Sequence, residues 1–261
     1  MKGLVEGKIA LVTGAGAGIG AAISELLAEH GAMVAVVEVN EEFGKRTVAA
    51  IEKAGGNAKF YCCDVGNLEQ IQKAFEAVIR DYGRVDILVN NCGIANGDLI
   101  ADLSEENWHR ILNVNMTAMY RFAKLAVTDM LKRKDGAIVN ISSLGGLIGG
   151  PNGLVYCTSK FGVNGLTRAL AADHAKDGIR VNAVAPGMTY TDMARKGFES
   201  KGDAAKAKAG LERALPIGRM ASPREIAYGV LFFASEMGSY CAGSILPIDG
   251  GVTGCFWPFG S

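Results

Sequence analysis

The chain has 261 residues, of which 49% are hydrophobic and 21% are charged, so it can bury a substantial core. Lysine plus arginine and aspartate plus glutamate both number 27, which gives a formal net charge of zero, and no basic tract stands out. Nucleic acid is therefore not an expected partner, because binding to its phosphates depends on many lysine and arginine contacts.

Hydrophobicity, cysteine spacing and histidine placement give further expectations. Residues 1–7 lack the charged and apolar regions of a secretory leader, and no window approaches the ~18 uncharged apolar residues that a membrane span needs. The cysteines have no C-x-x-C spacing, and His30, His109 and His174 lie on predicted helices away from strand ends. We expect a cytoplasmic protein with reduced thiols, no metal site and no membrane partner.

Short apolar runs alternate with longer amphipathic segments along the chain. In the first half we predict strands at residues 8–13, 33–37, 59–63 and 85–89 and helices at residues 19–30, 41–54 and 68–82. In the second half we predict strands at residues 136–141, 179–184 and 244–248 and helices at residues 108–131, 155–175 and 222–234. Glycines such as Gly31 and Gly55 supply helix stop signals.

Near-continuous apolar strands separated by helices indicate a parallel sheet that is covered on both faces. No linker divides the chain, so we predict one domain over residues 1–261 with an α/β doubly wound (Rossmann) fold, whose ligands bind beyond the carboxyl ends of the strands. Residues 194–210, rich in Lys, Ala and Gly, interrupt the alternation. They are interpreted either as a solvated surface helix or as part of a substrate lid at about residues 188–215.

The residues after the first predicted strand have the pattern T-G-x-x-x-G-x-G, which includes Gly14, Gly18, Ile19 and Gly20. Glycines let the backbone approach a pyrophosphate, and the helix that follows offers unpaired N–H groups. An ordinary strand-to-helix turn is the alternative. The strand before the motif and the helix after it favour a dinucleotide site.

Glu38 follows the second predicted strand. An acidic side chain at this place can accept hydrogen bonds from both ribose hydroxyls of an adenosine and would repel a 2′-phosphate. We expect no arginine or lysine nearby to reverse that repulsion, because Ala17 stands where a basic residue could sit and Val39 and Asn40 follow Glu38. The pattern favours NAD over NADP, with an ordinary surface glutamate as the alternative.

Two further strand ends fit the same ligand. Asp64 and Val65 follow the third strand, where a carboxylate could meet the adenine amino group. Asn91 lies in an N-N-x-G turn after the fourth strand, where small residues let the backbone run beside the cofactor. Its neighbour Asn90 is interpreted as a structural residue that ties adjacent strands together through its amide.

Tyr156 and Lys160 lie four residues apart on a predicted helix and therefore on the same face. A phenol has a pKa near ~10 in water, too high for efficient proton transfer at neutral pH, and we expect the ammonium and a cationic nicotinamide ring to lower that pKa. Lys160 can also donate to the ribose hydroxyls of the cofactor. A surface Tyr–Lys pair is the alternative, but the upstream cofactor motif favours catalysis.

Two adjacent serines, Ser142 and Ser143, follow the fifth predicted strand, and a hydroxyl at this place could hold a substrate oxygen as charge develops there. In this order and spacing, the motifs resemble the short-chain dehydrogenase/reductase family in its single-domain form of about 250 residues. The resemblance extends from residue 8 to about residue 251. It selects Ser143, thirteen residues before Tyr156, for the oxygen-binding role and leaves Ser142 to bond with backbone.

The resemblance implies roles for three further residues. Asn115 matches a family asparagine that supports a water in the proton relay, whereas a buried asparagine that satisfies backbone groups is the alternative. Thr191 matches a family threonine at the nicotinamide carboxamide, and Thr189, where Ile or Val is usual, adds a second hydroxyl. The implied activity is NAD-dependent hydride transfer between nicotinamide and a small-molecule secondary alcohol or ketone, in a homotetramer.

The expected pocket wall is mostly large and apolar; its residues are Leu144, Leu147, Ile148, Met188, Tyr190, Met193 and Phe198. This wall favours an apolar substrate such as a hydroxysteroid or bile acid, unless the same residues only pack the lid to the core. Asn96, Asp98 and Asn152 leave a sugar or polyol substrate open.

Two other functions remain as alternatives. A 3-oxoacyl thioester is the substrate of a family branch that usually uses NADP, and Ala17 and Glu38 count against it. A non-catalytic NAD-binding regulator is disfavoured by the complete set of catalytic residues. The C-terminal aromatics are expected either to dock at a subunit interface or to form a disordered tail, and they are Phe256, Trp257 and Phe259.

Overall fold

The computed structural model describes residues 3–95, 97–199 and 203–255. The strands in these ranges are β1 (Ile9–Thr13), β2 (Met33–Glu38), β3 (Asn57–Cys62), β4 (Ile87–Asn90), β5 (Gly136–Ile141), β6 (Ile179–Pro186) and β7 (Ile245–Ile248). Within the same ranges they form one parallel sheet of seven strands in the order β3-β2-β1-β4-β5-β6-β7. The order reverses between β1 and β4, which confirms the doubly wound α/β fold.

Helices cover both faces of this sheet. The helices of the described residues are α1 (Gly18–Glu29), α2 (Glu41–Lys53), α3 (Leu68–Tyr82), α4 (Glu105–Leu112), α5 (Ala118–Met130), α6 (Leu154–His174), α7 (Asp192–Glu199), α8 (Ala204–Arg213) and α9 (Pro223–Ala234), of which α7 and α8 lie apart from the sheet. None of the helices in the described parts of the chain is both long and apolar enough to cross a lipid bilayer.

Two apolar clusters hold the layers together, one on each face. Successive residues of a strand point to opposite faces, so neighbouring positions of β1 belong to different clusters. Val12 packs with Ile23 of α1 and with residues of α9. Leu11 packs with Phe122 of α5 and with residues of α3. This double burial explains why the strands are apolar at nearly every position.

The long helix predicted over residues 108–131 is wrong as a single element. A π-helical turn at Asn113–Thr117 separates α4 from α5, and α4 begins earlier because the Ser104 side chain caps it. A π turn holds an extra residue, which changes the direction of the side chains beside it. Asn113 there donates to the Gly66 carbonyl at 2.8 Å, a contact with the loop after β3.

The segment predicted as a surface helix or lid contains α7 and α8. Phe198, Leu215 and Met220 form a small apolar cluster of their own, separate from the two large ones. A parallel bridge between Thr189 and Ala221 joins the two ends of the segment. The segment is thus a helical layer on its own core, and its movement as a lid stays a prediction. The aromatics expected to dock at an interface lie outside the described residues.

Candidate active site

The Gly-rich loop after β1 has the shape that a pyrophosphate requires. Gly14 and Gly18 adopt φ values of +61° and +54°, which disfavour other residues. A Cβ on Gly20 would lie 2.1 Å from the Gly14 carbonyl oxygen. Ala17, the N-cap of α1, makes no side-chain cap in the described part of the chain, and the first turn, which contains Ile19, has no acidic residue. The amide end of α1 therefore fits an anion.

Asn91 braces this loop. Its side-chain amide donates to the carbonyls of Thr13 and Gly14 at 2.9 and 3.0 Å. The Thr13 hydroxyl in turn accepts from the backbone of Asn91 and Cys92 at 3.0 and 3.1 Å. The Asn91 side chain thus shapes the backbone that would bind the cofactor, and its own contact with a cofactor stays a prediction.

Asn90 ties two strands, as the sequence indicated. Its amide donates to the Asn140 side chain of β5 at 2.9 Å, and Asn140 donates to Thr167 of α6 at 2.9 Å. All three groups are buried. This chain of hydrogen bonds fixes β4, β5 and α6 relative to one another and therefore positions the residues that follow each of them.

Glu38 lies beside the Gly-rich loop at the carboxyl end of β2. Its Oε2 accepts from the Gly16 amide at 3.1 Å, and its Oε1 accepts from the amides of Val39 and Asn40 at 2.9 and 3.0 Å. The prediction that no basic residue lies nearby is wrong in space. Arg46 lies eight residues after Glu38, but α2 brings its side chain back to the Gly-rich loop. There it donates to the Gly16 carbonyl at 3.4 Å.

The loop after β3 is held by its own polar groups. The Asp64 carboxylate accepts from the Gly66 amide at 2.8 Å, and the Asp64 amide donates to the Gln70 side chain at 2.8 Å. Val65 is buried against the sheet, whereas Asp64 is exposed at the same edge as Glu38. Asp64 and Val65 thus lie in the loop where the sequence analysis expected the adenine, and their contact with adenine stays a prediction.

Ser143, Tyr156 and Lys160 come together at the carboxyl ends of β5 and β6. Tyr156 lies in the first turn of α6, and its ring packs against Gly145, two residues after Ser143. The Ser143 hydroxyl accepts from the Gly145 amide at 3.0 Å. The Lys160 ammonium lies 5.7 Å from the centre of the Tyr156 ring and donates to the Ile141 carbonyl at 2.8 Å. The geometry provides a phenol, a hydroxyl and an ammonium around one site.

The electrostatics of this group differ from the sequence expectation. Burial raises the pKa of Tyr156, and the nearby Ser143 side chain offsets only part of that rise. Burial also lowers the pKa of Lys160 from its usual value of 10.5 to about 8. The expected lowering of the phenol pKa by the lysine is therefore wrong for the protein alone, because burial outweighs it and the ammonium points at Ile141.

The two remaining polar residues near Tyr156 have structural partners. The Ser142 hydroxyl donates to the Lys160 carbonyl at 3.4 Å, as expected for a backbone-bonding serine. Asn115 exchanges two hydrogen bonds of 2.8 Å with the backbone of Ile94 and donates to Ser159 at 3.1 Å. Its side chain therefore holds the loop after β4 to α6. The water-relay role of Asn115 stays a prediction.

Ser159 is a functional contact that the sequence analysis missed. Its hydroxyl donates to the Tyr156 carbonyl at 2.6 Å and accepts from Asn115, so it links the π-helical turn to the backbone of Tyr156. Ser159 lies in the Y-x-x-x-K motif, directly before Lys160. A small hydroxyl residue at that place was the sequence signal that could have indicated this contact.

The loop after β6 meets the Gly-rich loop. A Cβ on Gly18 would lie 3.3 Å from the Thr191 methyl group. The Thr191 hydroxyl accepts from the Ala194 amide at 3.2 Å, and the Thr189 hydroxyl donates to the Gly187 carbonyl at 3.2 Å. The structure thus brings Thr191 beside α1, on the side where a nicotinamide was expected, and both threonine contacts with it stay predictions.

The expected pocket wall separates into two groups. Phe198 is 9% exposed and packs with Leu215 and Met220 in the small apolar cluster of this segment, here called the lid cluster. By contrast, Ile148, Met188 and Tyr190 are each about two-fifths exposed. Met193 and Asn96 lie outside the residues whose side chains are described. At least one large apolar residue is therefore explained by lid packing alone, which weakens the argument for an apolar substrate.

The histidines lie away from this site. His109 is 3.6 Å from Glu105 and His174 is 3.4 Å from Asp177, both on or next to their own helices, and His30 caps the end of α1. In the parts of the chain that the structure describes, no group of three or more His, Cys, Asp or Glu residues could hold a metal ion.

The family comparison matches most of the chain. Residues 14–253 match a family model described as enoyl-(acyl carrier protein) reductase. The chain is 38% identical over 248 residues to 3-oxoacyl-(acyl-carrier-protein) reductase FabG of Thermotoga maritima. This match covers 95% of this chain and 98% of the relative. It is 37% identical over 250 residues to D-threitol dehydrogenase of Mycolicibacterium smegmatis, covering 95% and 94%.

A solved structure gives the same picture. A variant of actinorhodin polyketide ketoreductase, crystallised with NADPH, superposes with a TM-score of 0.92 at 36% sequence identity. The superposition covers 95% of this chain and 98% of the other. The fold of almost the whole chain is thus shared with this ketoreductase.

Proposed function

The chain belongs to the short-chain dehydrogenase/reductase family of oxidoreductases, and on that premise we propose that it transfers a hydride between nicotinamide and a secondary alcohol or ketone. The observation that carries the proposal is the grouping of Tyr156, Ser143 and Lys160. The Lys160 ammonium lies 5.7 Å from the centre of the Tyr156 ring, and the Ser143 hydroxyl binds the amide of Gly145, which lies against the same ring. These groups lie at the carboxyl edge of the sheet, where the Gly-rich loop and the amide end of α1 also lie. The cradle fits a dinucleotide, because Gly14 and Gly18 have positive φ values and a Cβ on Gly20 would clash.

The mechanism assigns one task to each side chain. The dinucleotide, when bound, supplies or accepts the hydride. Tyr156 takes the proton from the alcohol oxygen, or returns it to the carbonyl oxygen in the reverse direction. Ser143 holds that oxygen with its hydroxyl while charge develops. Lys160 orients the site, and its low pKa lets it pass a proton near neutral pH.

The coenzyme proposed is NAD. Glu38 supports it, because a carboxylate beside the Gly-rich loop can accept from ribose hydroxyls and repels a 2′-phosphate. A carboxylate that already holds three backbone amides is also fixed in place, so the repulsion acts without reorganisation.

For the substrate we propose a polyol or a sugar-derived alcohol. The relative named D-threitol dehydrogenase supports this class, and Glu38 is consistent with the oxidative use of NAD. A 3-oxoacyl thioester is the second candidate, favoured by the relatives named 3-oxoacyl-(acyl-carrier-protein) reductase. The comparisons give no support to the hydroxysteroid or bile-acid substrate, and the burial of Phe198 in the lid cluster removes part of its basis.

A panel of substrates tests the proposal. We expect NADH absorbance at 340 nm to appear with C4 to C6 polyols and NAD, and to appear far more slowly with hydroxysteroids. In the reverse direction, a 3-oxoacyl thioester with NADH or NADPH tests the second candidate. The Tyr156→Phe variant serves as the control for each positive signal. A protein that binds NAD but turns over neither class would support the non-catalytic regulator instead.

We also propose a homotetramer that works in the cytoplasm. Large side chains on two helices support assembly, because Tyr120 of α5 and Phe161 of α6 are each about half exposed. The family resemblance supplies the number of subunits. Static light scattering of the full chain measures it directly, and a monomeric mass would contradict the proposal.

A further inference from the structure

Asn164 lies on the same face of α6 as Tyr156 and Lys160, because the three residues follow one another at intervals of four. Its side chain is 5% exposed, and its Nδ2 donates to the Gly146 carbonyl at 2.8 Å. Gly146 ends the short helical turn at Leu144–Gly146, which directly follows Ser143. The Asn164 amide therefore joins α6 to the turn beside the serine that the mechanism uses.

The Asn164 amide has one paired end and one unpaired end. Among the described residues, its Oδ1 has no hydrogen-bond partner, although the side chain is buried. Exchange of the two amide atoms would set an oxygen against the Gly146 carbonyl oxygen, so the nitrogen must face Gly146. A buried acceptor without a partner destabilises a fold. The contribution of this asparagine to stability is thus small for a buried hydrogen-bonded residue.

The turn that Asn164 holds contacts both Ser143 and Tyr156. The Gly145 amide donates to the Ser143 hydroxyl at 3.0 Å, and the Gly146 amide donates to the Ser143 carbonyl at 2.9 Å. A Cβ on Gly145 would lie 3.2 Å from Cε1 of Tyr156. A shift of this turn would therefore move the Ser143 hydroxyl relative to the phenol ring.

The other contacts of this loop with α6 restrain it less in direction. The Ser142 hydroxyl donates to the Lys160 carbonyl at 3.4 Å, which is long for a hydrogen bond between oxygen atoms. A Cβ on Gly146 would lie 2.8 Å from the Lys160 carbonyl oxygen, so the two backbones pack closely there. Close packing limits the approach of the turn, whereas the hydrogen bond from Asn164 to Gly146 fixes its orientation.

We propose that Asn164 is a positioning residue, whose amide holds the turn at Leu144–Gly146 so that the Ser143 hydroxyl meets the substrate oxygen. The inference rests on the proposed function, because it assumes that Ser143 holds this oxygen. Asn164 acts through Ser143, and the hydrogen bond from Ser143 strengthens as charge develops on the oxygen. Loss of this positioning therefore lowers kcat more than it raises KM.

Asn182 of β6 provides a matched control. It is also buried, and its Nδ2 donates to the Cys241 carbonyl at 2.8 Å while its Oδ1 accepts from the Ser244 amide at 3.0 Å. These partners directly precede β7, so they lie at the opposite edge of the sheet from Ser143. Because both ends of the Asn182 amide are paired, its replacement should destabilise the fold more than replacement of Asn164.

The experiment compares stability with turnover in the full chain. The variants are Asn164→Leu, Asn164→Ala, Asn182→Ala, Ser143→Ala and the pair of Ser143→Ala with Asn164→Leu. The kcat and KM are measured with the member of the substrate panel that the wild type turns over fastest. Calorimetry gives the dissociation constant for NAD, and urea unfolding gives the midpoint. Two Asn164 variants are used because they differ in packing and both lack the donor.

We expect both Asn164 variants to lower kcat about tenfold and to change KM and the dissociation constant for NAD by less than about threefold. Asn182→Ala should lower the urea midpoint more than Asn164→Ala, yet leave kcat within about twofold of the wild type. A purely structural role for Asn164 predicts instead that kcat per folded molecule stays near the wild-type value in all three variants.

The Ser143→Ala background tests whether the effect passes through Ser143. There we expect Asn164→Leu to lower kcat by less than about twofold, because the hydroxyl that it positions is already absent. Wild-type kcat in both Asn164 variants, or an undiminished tenfold loss in the Ser143→Ala background, would overturn the inference alone. A wild-type chain that turns over no member of the panel would overturn the proposed function together with the inference.

Discussion

The proposed acid–base chemistry depends on Tyr156, a phenol whose neutral form is favoured by burial in the protein alone. Burial raises the pKa of Tyr156 and lowers that of Lys160 to about 8, so it shifts both groups toward their uncharged forms. The neighbouring Ser143 side chain is the group that favours the phenolate. We therefore assign the remaining stabilisation of the phenolate to a cationic nicotinamide ring, which the oxidative direction supplies when the coenzyme is bound.

Replacement of Tyr156 by Phe removes the hydroxyl and little else. We expect turnover to fall by at least about a hundredfold, because the general acid–base group is lost. The dissociation constant for NAD should change by less than about threefold, since the ring and its packing remain. Initial rates and calorimetric titration on the same preparation measure both quantities. Near-normal turnover in this variant would remove Tyr156 from the mechanism.

Lys160 makes stability depend on pH in a defined direction. Its folded-state pKa of about 8 lies below the usual 10.5, so between these values the unfolded chain binds the extra proton. Stability from this group therefore rises as pH increases from about 8 to 10.5, by at most about 1.4 kcal/mol per pH unit. We expect urea unfolding at pH 7.5, 8.5 and 9.5 to show this rise for the wild type relative to Lys160→Met. A constant difference between the two proteins would show that the ammonium remains charged in the fold.

At the scale of elements, the site is held by contacts between loops and a distorted helix. The π-helical turn at Asn113–Thr117 carries two side-chain amides that bind two loops. Asn113 donates to the Gly66 carbonyl, and Asn115 donates to the Ile94 carbonyl. Asn115 also reaches Ser159, which holds the Tyr156 carbonyl. The distortion of the helix therefore links the ends of β3 and β4 to α6, which carries Tyr156 and Lys160.

The substitution Asn115→Ala tests that linkage. It leaves the half-buried amide and carbonyl of Ile94 without their Asn115 partner and also removes the bond to Ser159, so we expect a loss of about 2 to 3 kcal/mol in the free energy of unfolding. Asn113→Ala is the matched control in the same turn, because it removes one hydrogen bond and should cost about 1 kcal/mol. Equal losses in the two variants would contradict the bracing role.

The pH profile of turnover separates bracing from the proton relay. If Asn115 only positions the loop and α6, Asn115→Ala lowers turnover by a similar factor at every pH between 6 and 10. If it also supports the relay, the loss is greatest where proton transfer limits the rate, and the inflection shifts. Steady-state rates across this range distinguish the two, with Asn113→Ala again as the reference.

At the scale of the whole molecule, the doubly wound sheet gathers the ends of distant strands at one edge. The order reverses between β1 and β4, so the Gly-rich loop and the Asn90–Asn91 turn become neighbours there, and Asn91 bonds directly to Gly14. Helices on both faces leave this edge accessible to a ligand. The remaining question at this scale is how copies of the chain assemble.

A variant that ends at Gly254 tests whether the C-terminal residues contribute to assembly. We expect it to scatter light as a smaller species than the full chain and to have a higher KM, because apolar side chains at a subunit interface contribute to both. Cys255→Ser in the full chain is the control for loss of the thiol alone. An unchanged mass and unchanged kinetics would show that these residues take no part.

The order of apolar strands and amphipathic helices, with glycine-rich turns between them, determined the fold class. Apolar periodicity and turn residues are local properties, and they report burial on both faces of a parallel sheet directly. The Y-x-x-x-K spacing likewise fixed Tyr156 and Lys160 on one helix face, since helix geometry alone brings residues four apart together.

The tertiary structure decided which groups those residues meet. It placed Arg46 at the Gly16 carbonyl, turned the Lys160 ammonium to Ile141 and interrupted the helix at Asn113–Thr117. Each of these depends on contacts between segments distant in sequence, and burial in such contacts sets the pKa values of Tyr156 and Lys160. Local sequence encodes elements and motif spacing, whereas charge balance and bracing arise only where the folded chain brings separate segments into contact.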